Sequence, residues 1–236
     1  MPMPKEQSYF RKDRISTGVR ELDVVLEGGY VNPGAVLVLG PSGQEKFAFA
    51  LHFAFAGLQA GEKVAYVALD MGPHEVEQKA SQFGMNLRPH VNDRLIFIDA
   101  YSQKLGSSES NRKDMKIPGP ESLNDLSLAL NEIMDQAAGA RMRVVFHSLS
   151  TLSIYNPADS VIKFLQVIHG RLKNASATTL WLIDEGMHEK KFITSLESIS
   201  DQKVVLSNPG SSHQVQFDDV PIPISITTGG AGIEVI

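Results

Sequence analysis

Eight consecutive residues, Gly40-Pro41-Ser42-Gly43-Gln44-Glu45-Lys46-Phe47, carry the clearest chemical signal in the chain. They follow the apolar run Ala35 to Leu39 and lead into the Ala-, Phe- and Leu-rich stretch Lys46 to Ala60. A strand, a tight glycine-bearing turn and a helix opened by a lysine form the setting of a phosphate-binding loop. In the full pattern, G-x-x-x-x-G-K-[ST], backbone N–H groups wrap the phosphates, the lysine neutralises them and the hydroxyl binds Mg²⁺. Here Gly40 and Lys46 stand in register, but Glu45 takes the second glycine position and Phe47 the hydroxyl position. Taken alone the segment is a weak motif, because Gly-Pro-Ser-Gly is also an ordinary turn.

The elements that would hold this loop are legible from periodicity. Ala35 to Leu39 is bounded by Gly34 and Gly40 and suits a strand buried on both faces. Lys46 to Ala60 is apolar nearly all round, as a buried helix would be, and Gly61 stops it. Further strands are predicted at 63–69, 94–98, 143–146 and 178–183, and helices at 73–83, 121–138 and 192–199. Asn156 is predicted to cap a helix with Pro157 at its first position and an apolar face of Val161, Phe164, Leu165, Ile168 and Leu172. Strand–helix alternation over 35–183 means a parallel sheet covered on both faces. The alternating segments 204–207, 215–217, 224–227 and 233–236 read as antiparallel strands extending one edge. Residues 1–14 read as a tail, 15–236 as one domain, and the polar stretch 102–120 as a mobile surface loop.

Composition bounds the function. A chain of 236 residues buries a large core without staples. With 22 Lys+Arg against 27 Asp+Glu, bulk charge gives no footprint for nucleic acid. The absence of Cys excludes a disulfide scaffold, a Cys-ligated zinc site and a thiol nucleophile. The polar start, Met1 to Arg14, has no apolar signal-peptide core, and the longest apolar stretch is too short for a bilayer. The expectation is a cytoplasmic protein with no membrane partner.

Residues flanking the loop strengthen it. Ile15-Ser16-Thr17-Gly18-Val19, Leu22-Asp23, Leu26, Gly28-Gly29 and Gly34 resemble the start of RecA-superfamily P-loop ATPase domains of the KaiC-like type. Ser148-Leu149-Ser150-Thr151-Leu152, Glu185-Gly186-Met187-His188 and Gly232-Ile233-Glu234-Val235 are similar to the same family. The resemblance spans about residues 15–236. It implies a RecA-like three-layer α/β/α fold with a mostly parallel central sheet and antiparallel C-terminal strands. It also implies ATP binding, often in a hexamer or filament, with the nucleotide site at a subunit boundary.

Against that pattern both Walker motifs are degenerate. Phe47 replaces the metal-binding hydroxyl, His147 the metal-binding Asp after Val144-Val145-Phe146, and Asp70-Met71 the catalytic carboxylate pair after Val67-Ala68-Leu69. Asp70 keeps a charge on a shorter arm, whereas Met71 can neither accept a proton nor orient water. Phosphoryl transfer depends on positioning and on metal neutralisation, so little transition-state stabilisation is left. A Glu45 carboxylate turned inward, about 5 Å from a phosphate charge, would cost roughly 3 kcal/mol at an effective dielectric near 20. Lys46 is expected to pair with Glu45 or Asp70 and fill the site. His147 reads as a hydrogen-bonded core histidine, with a metal role beside Asp70 or His52 as the minor alternative. No cofactor is expected, with ATP or ADP as weak ligands at most.

These readings converge on a catalytically degenerate, non-hydrolysing domain that acts as a regulatory or assembly protein through contacts with protein partners or itself. One rival is a recombinase paralog that binds single-stranded DNA through mobile loops at about 149–156 and 185–191. Neither segment carries a basic groove, so nucleic acid is not favoured. An ATP-binding protein with weak ATPase activity is the other alternative.

Overall fold

The computed structural model describes residues 13–105, 113–137, 139–209 and 213–236. Strand β1 (Arg14–Ile15), helix α1 (Arg20–Val25) and strand β2 (Tyr30–Val31) lead into β3 (Gly34–Gly40) and α2 (Gln44–Gln59). Then follow β4 (Lys63–Ala68), α3 (Pro73–Gln82), β5 (Leu95–Asp99), β6 (Met115–Lys116) and α4 (Leu123–Ala137). The second half contains β7 (Met142–His147), α5 (Leu149–Tyr155), α6 (Ala158–Asn174), β8 (Ala177–Asp184) and α7 (Lys190–Ile199). Strands β9 (Gln202–Ser207), β10 (His213–Phe217), β11 (Ile224–Gly229) and β12 (Gly232–Val235) close the chain.

The large sheet has the order β12-β11-β10-β9-β3-β8-β7-β4-β5-β6. It is parallel from β9 across to β6 and antiparallel from β9 to β12. Period-2 alternation along β3 divides two cores: Val36 and Val38 face α2, while Ala35 and Leu37 face the layer of α4, α6 and α7. This is the expected α/β fold of RecA-like, three-layer type. Helix α2 is apolar all round because it packs on β7 and also against β11 and β12.

Three expectations need correction. Asn156 does not cap α6; its side-chain amide donates to the Leu152 and Pro120 carbonyls and closes α5 instead, leaving Pro157 at the start of α6. The segment after β7, expected as a loop, is the helix α5, opened by the Ser148 hydroxyl accepting the Thr151 N–H and anchored by buried Leu149 and Leu152. The tail assigned to 1–14 ends inside a strand, since Arg14 and Ile15 pair with Val31 and Tyr30. Residues 1–12 and 106–112, where the rest of the tail and much of the predicted mobile loop fall, lie outside the described residues.

One buried charge ties these layers together. Arg143 on β7 is 2% exposed. Its Nε donates to Glu62 Oε2 at 2.6 Å, and its Nη1 to the Ser16 and Phe53 carbonyls at 2.7 and 2.8 Å. Gly57 makes room, because a Cβ there would meet Arg143 Cδ at 2.5 Å. Removing one partner of a buried pair strands the other charge, at a cost of about 3–5 kcal/mol. Urea denaturation of Arg143→Ala should register a loss of about that size, and adding Glu62→Leu should recover more than half of it. Equal stability of Arg143→Ala and wild type would refute this role.

Candidate functional site

At the C-terminal ends of β3, β4, β7 and β8, where an open α/β sheet places its ligand crevice, lies a cavity of about 290 Å³. The loop after β3 supplies Ser42 and Gly43, and α2 supplies Gln44, Lys46 and Phe47. Asp70 and Met71 come from the end of β4, His147 and Ser148 from β7, and Asp184 from β8. Lys79, Gln82 and Phe83 reach in from the α3 side. The fold therefore gathers Asp70, Met71 and His147 around the segment 40–47, although they are distant in sequence.

Lys46 does not pair with Glu45 or Asp70 as expected. It is 5% exposed, and its Nζ donates to Asp184 Oδ1 and to the Gly40 carbonyl, both at 2.7 Å, and to the Pro41 carbonyl. Burial raises the Asp184 carboxyl, but the bond and charge of Lys46, with help from the Ser150 and Ser42 hydroxyls, bring it below its ordinary value. Glu45 does not pair with Lys46; its Oε1 lies 3.3 Å from His213 Nδ1 on β10 and its Oε2 lies close to Gly43 at the start of α2. Gly40 abuts Leu206 of β9, where a Cβ would meet the Leu206 Cβ at 2.7 Å.

Phe47 fills the hydroxyl position with a buried ring whose centroid lies 5.1 Å from that of His147. His147 Nδ1 and the Tyr66 hydroxyl hydrogen-bond at 2.9 Å, as a core histidine would. Burial, with the Lys79 charge adding to it, pushes His147 down to about 3, so the ring is neutral at pH 7. Asp70 Oδ1 is 3.7 Å from His147 Nδ1. Burial lifts the Asp70 carboxyl to about 6; the Asp184 and Glu75 charges add to the lift and Lys79 opposes it.

A magnesium nucleotide, which the resemblance implies, meets a mixed reception. The loop amides, Lys46 and Lys79 suit a phosphate anion. The metal does not fit: Phe47 offers no donor, His147 spends Nδ1 on Tyr66, and Asp184 is held by Lys46. No cluster of three or more His, Asp or Glu side chains able to hold a metal occurs among the described residues. His52 is engaged elsewhere, facing the Gly18 carbonyl at 3.1 Å and accepting the Ile233 N–H at 2.9 Å.

Sequence reasoning missed Asp184 and Lys79. A carboxylate ending the apolar run Leu180 to Ile183 was the available signal for Asp184. It became meaningful only once β8 was seen beside β3. Lys79 had no signal beyond its i,i+4 pairing with Glu75.

Comparison with known proteins agrees with the fold. The family described as ATPase: KaiC matches residues 15–215. A UPF0273 protein of Pyrococcus furiosus is 30% identical over 180 residues, 76% of this chain and 71% of that protein. A UPF0273 protein of Thermotoga maritima is 30% identical over 182 residues, 76% of this chain and 73% of its own length. The crystal structure of a KaiC-like protein from Pyrococcus horikoshii superposes with a TM-score of 0.75 at 17% identity, covering 94% of this chain and 98% of that one, which is a likeness of fold.

The Asp70 carboxyl makes a pH prediction. It keeps its proton to about pH 6 in the fold but only to 3.8 when unfolded, so its ionisation costs stability as pH rises through that window. His147 acts oppositely over its own window, from about 3 to 6.5. Asp70→Asn should therefore stabilise the protein at pH 8, by up to roughly 2 kcal/mol after allowing for partial exposure, and by progressively less as pH falls, reaching nothing below about pH 3. Thermal melts across that range would contradict the assignment if the gain were independent of pH.

Proposed function

The chain belongs to the KaiC ATPase family, and from that premise we propose that it is a non-hydrolysing member acting as a regulatory or assembly protein through protein–protein contacts. The observation that carries this reading is the Phe47 ring packed on neutral His147. Two positions that would grip a metal ion have become one apolar contact. Asp70, lifted to about 6, still carries a carboxylate at pH 7, but it has no metal ligand beside it and its neighbour Met71 can neither accept a proton nor orient water. Phosphoryl transfer without a metal or a positioned base loses its main sources of transition-state stabilisation.

A scaffold kept while its central chemistry is gone serves most economically as a binding surface. Exposed Ile154 and Met187 follow β7 and β8, at the same end of the sheet as the cavity. The family resemblance puts subunit contacts beside this loop, and apolar residues left exposed there suit a protein partner or a second copy. No helix among the described residues is long and apolar enough to cross a membrane. A cytoplasmic setting goes with this reading. The DNA-binding rival loses one of its two expected mobile loops to α5.

Steady-state assays with Mg²⁺ or Mn²⁺ should detect no ATP turnover above that of Lys46→Ala. A rate above about 0.01 s⁻¹ that Lys46→Ala abolishes would sink the non-hydrolysing assignment. Phe47→Thr combined with His147→Asp should make nucleotide binding Mg²⁺-dependent. Light scattering should give a mass above the 25.8 kDa of one chain, alone or with a partner. A strict monomer that recovers no partner would leave the assembly role without support.

A further inference from the structure

The cavity wall holds a cation that the loop motif does not account for. The Lys79 ammonium lies 5.7 Å from the centre of the Phe47 ring. It shares the cavity with Ser42, Gly43 and Lys46, and its charge reaches both His147 and Asp70. Its tie to Glu75, 3.0 Å away, is between side chains 39% and 48% exposed. Water screens such a pair, so it holds Lys79 weakly. Phe47 occupies the position where the loop pattern calls for a metal-binding hydroxyl, and Lys79 places a positive charge over that residue. On the other side, Lys46 is already satisfied by Asp184, a carboxylate standing where an anionic ligand would bind. The 16-residue helix α2 opens at Gly43 with no side-chain cap on its first amides, which leaves donors for an anion between the two lysines.

We propose that this cavity is a metal-independent site for a polyphosphate group, in which the Lys79 ammonium takes the place of a divalent ion and the incoming phosphate displaces Asp184 from Lys46. An ammonium on a flexible stem supplies a point charge to phosphate oxygens, as a metal ion does, without needing a carboxylate cage. The mismatch between the site and Mg²⁺ is then a change of counter-charge rather than a loss of the anion site. The proposal rests on the non-hydrolysing reading, because an ammonium binds the anion but does not activate it as a metal would.

The test is calorimetry on the full chain with ADP and with inorganic pyrophosphate, each in EDTA and in excess Mg²⁺. Both probes should bind saturably in EDTA, since every group invoked contacts phosphate, and Mg²⁺ should bring no gain. Lys79→Met should weaken both by about tenfold, as expected for loss of one close charge, and Lys79→Arg should restore most of that. Asp184→Asn, which removes the competing carboxylate, should tighten both by about threefold or more. Because Lys79 lies on the helix surface, circular dichroism should find Lys79→Met folded. Affinity that rises about tenfold with Mg²⁺ would overturn the proposal. So would indifference to Lys79→Met, or failure of both wild type and Asp184→Asn to bind either probe at millimolar concentration. ATP turnover would defeat the non-hydrolysing reading separately, because these titrations contain no hydrolysable ATP.

Discussion

An ammonium 5% exposed to water must find partners inside the protein, and the candidate site is arranged around that requirement at Lys46. Three oxygens meet it: two loop carbonyls and the Asp184 carboxylate. Those three bonds join the end of β3, the turn before α2 and the end of β8. A buried charge with excellent geometry contributes specificity of arrangement even where its net stabilisation is small. The loop is thereby closed on itself by its own lysine, with Asp184 in the role that a ligand anion would play.

A second buried cation does comparable work on the far side of α2. Arg143 bonds Glu62 and the carbonyls of Ser16 and Phe53, and its guanidinium carbon lies 4.7 Å from the centre of the Phe53 ring. Helix α2 is thus fixed near its N-terminus by Lys46 and further along by Arg143. Between them its apolar surface is covered by the sheet and by the C-terminal strands. This rigidity bears on function, since a phosphate site needs its amides and lysines held before the anion arrives.

The titratable groups around the cavity are paired or shifted by burial, with Lys79 adding its charge from α3. His147 is neutral, Asp70 is only partly ionised near pH 6, and the firmly held charges are Lys46 and Asp184, which cancel. Under the proposal above, an anion enters beside Lys79 and the first amides of α2 and displaces Asp184 from Lys46. The Phe47–His147 contact adds apolar surface where hydrolysing relatives of the fold would need oxygen ligands. On the proposed reading, this chain keeps the family's scaffold without its metal chemistry.

Much of this was determined by the order of residues alone. The Ala35–Leu39 run can hide its side chains only between two layers, so β3 and the parallel sheet followed from it. The register of Gly40 and Lys46 located the loop, and the residue types Phe47, His147 and Met71 marked its departures from the resembled pattern. What sequence could not decide was pairing between groups far apart in the chain. Lys46 had carboxylates on offer at Glu45 and Asp70, and only the adjacency of β8 to β3 selected Asp184, while Glu45 lies beside His213 of β10. The fate of Asn156 was likewise settled by which carbonyls lay within reach, those of Leu152 and Pro120. Local pattern determines which elements form because backbone geometry and burial act over a few residues. Hydrogen bonds and ion pairs act over about 3 Å in space, and that distance is set by the packed fold.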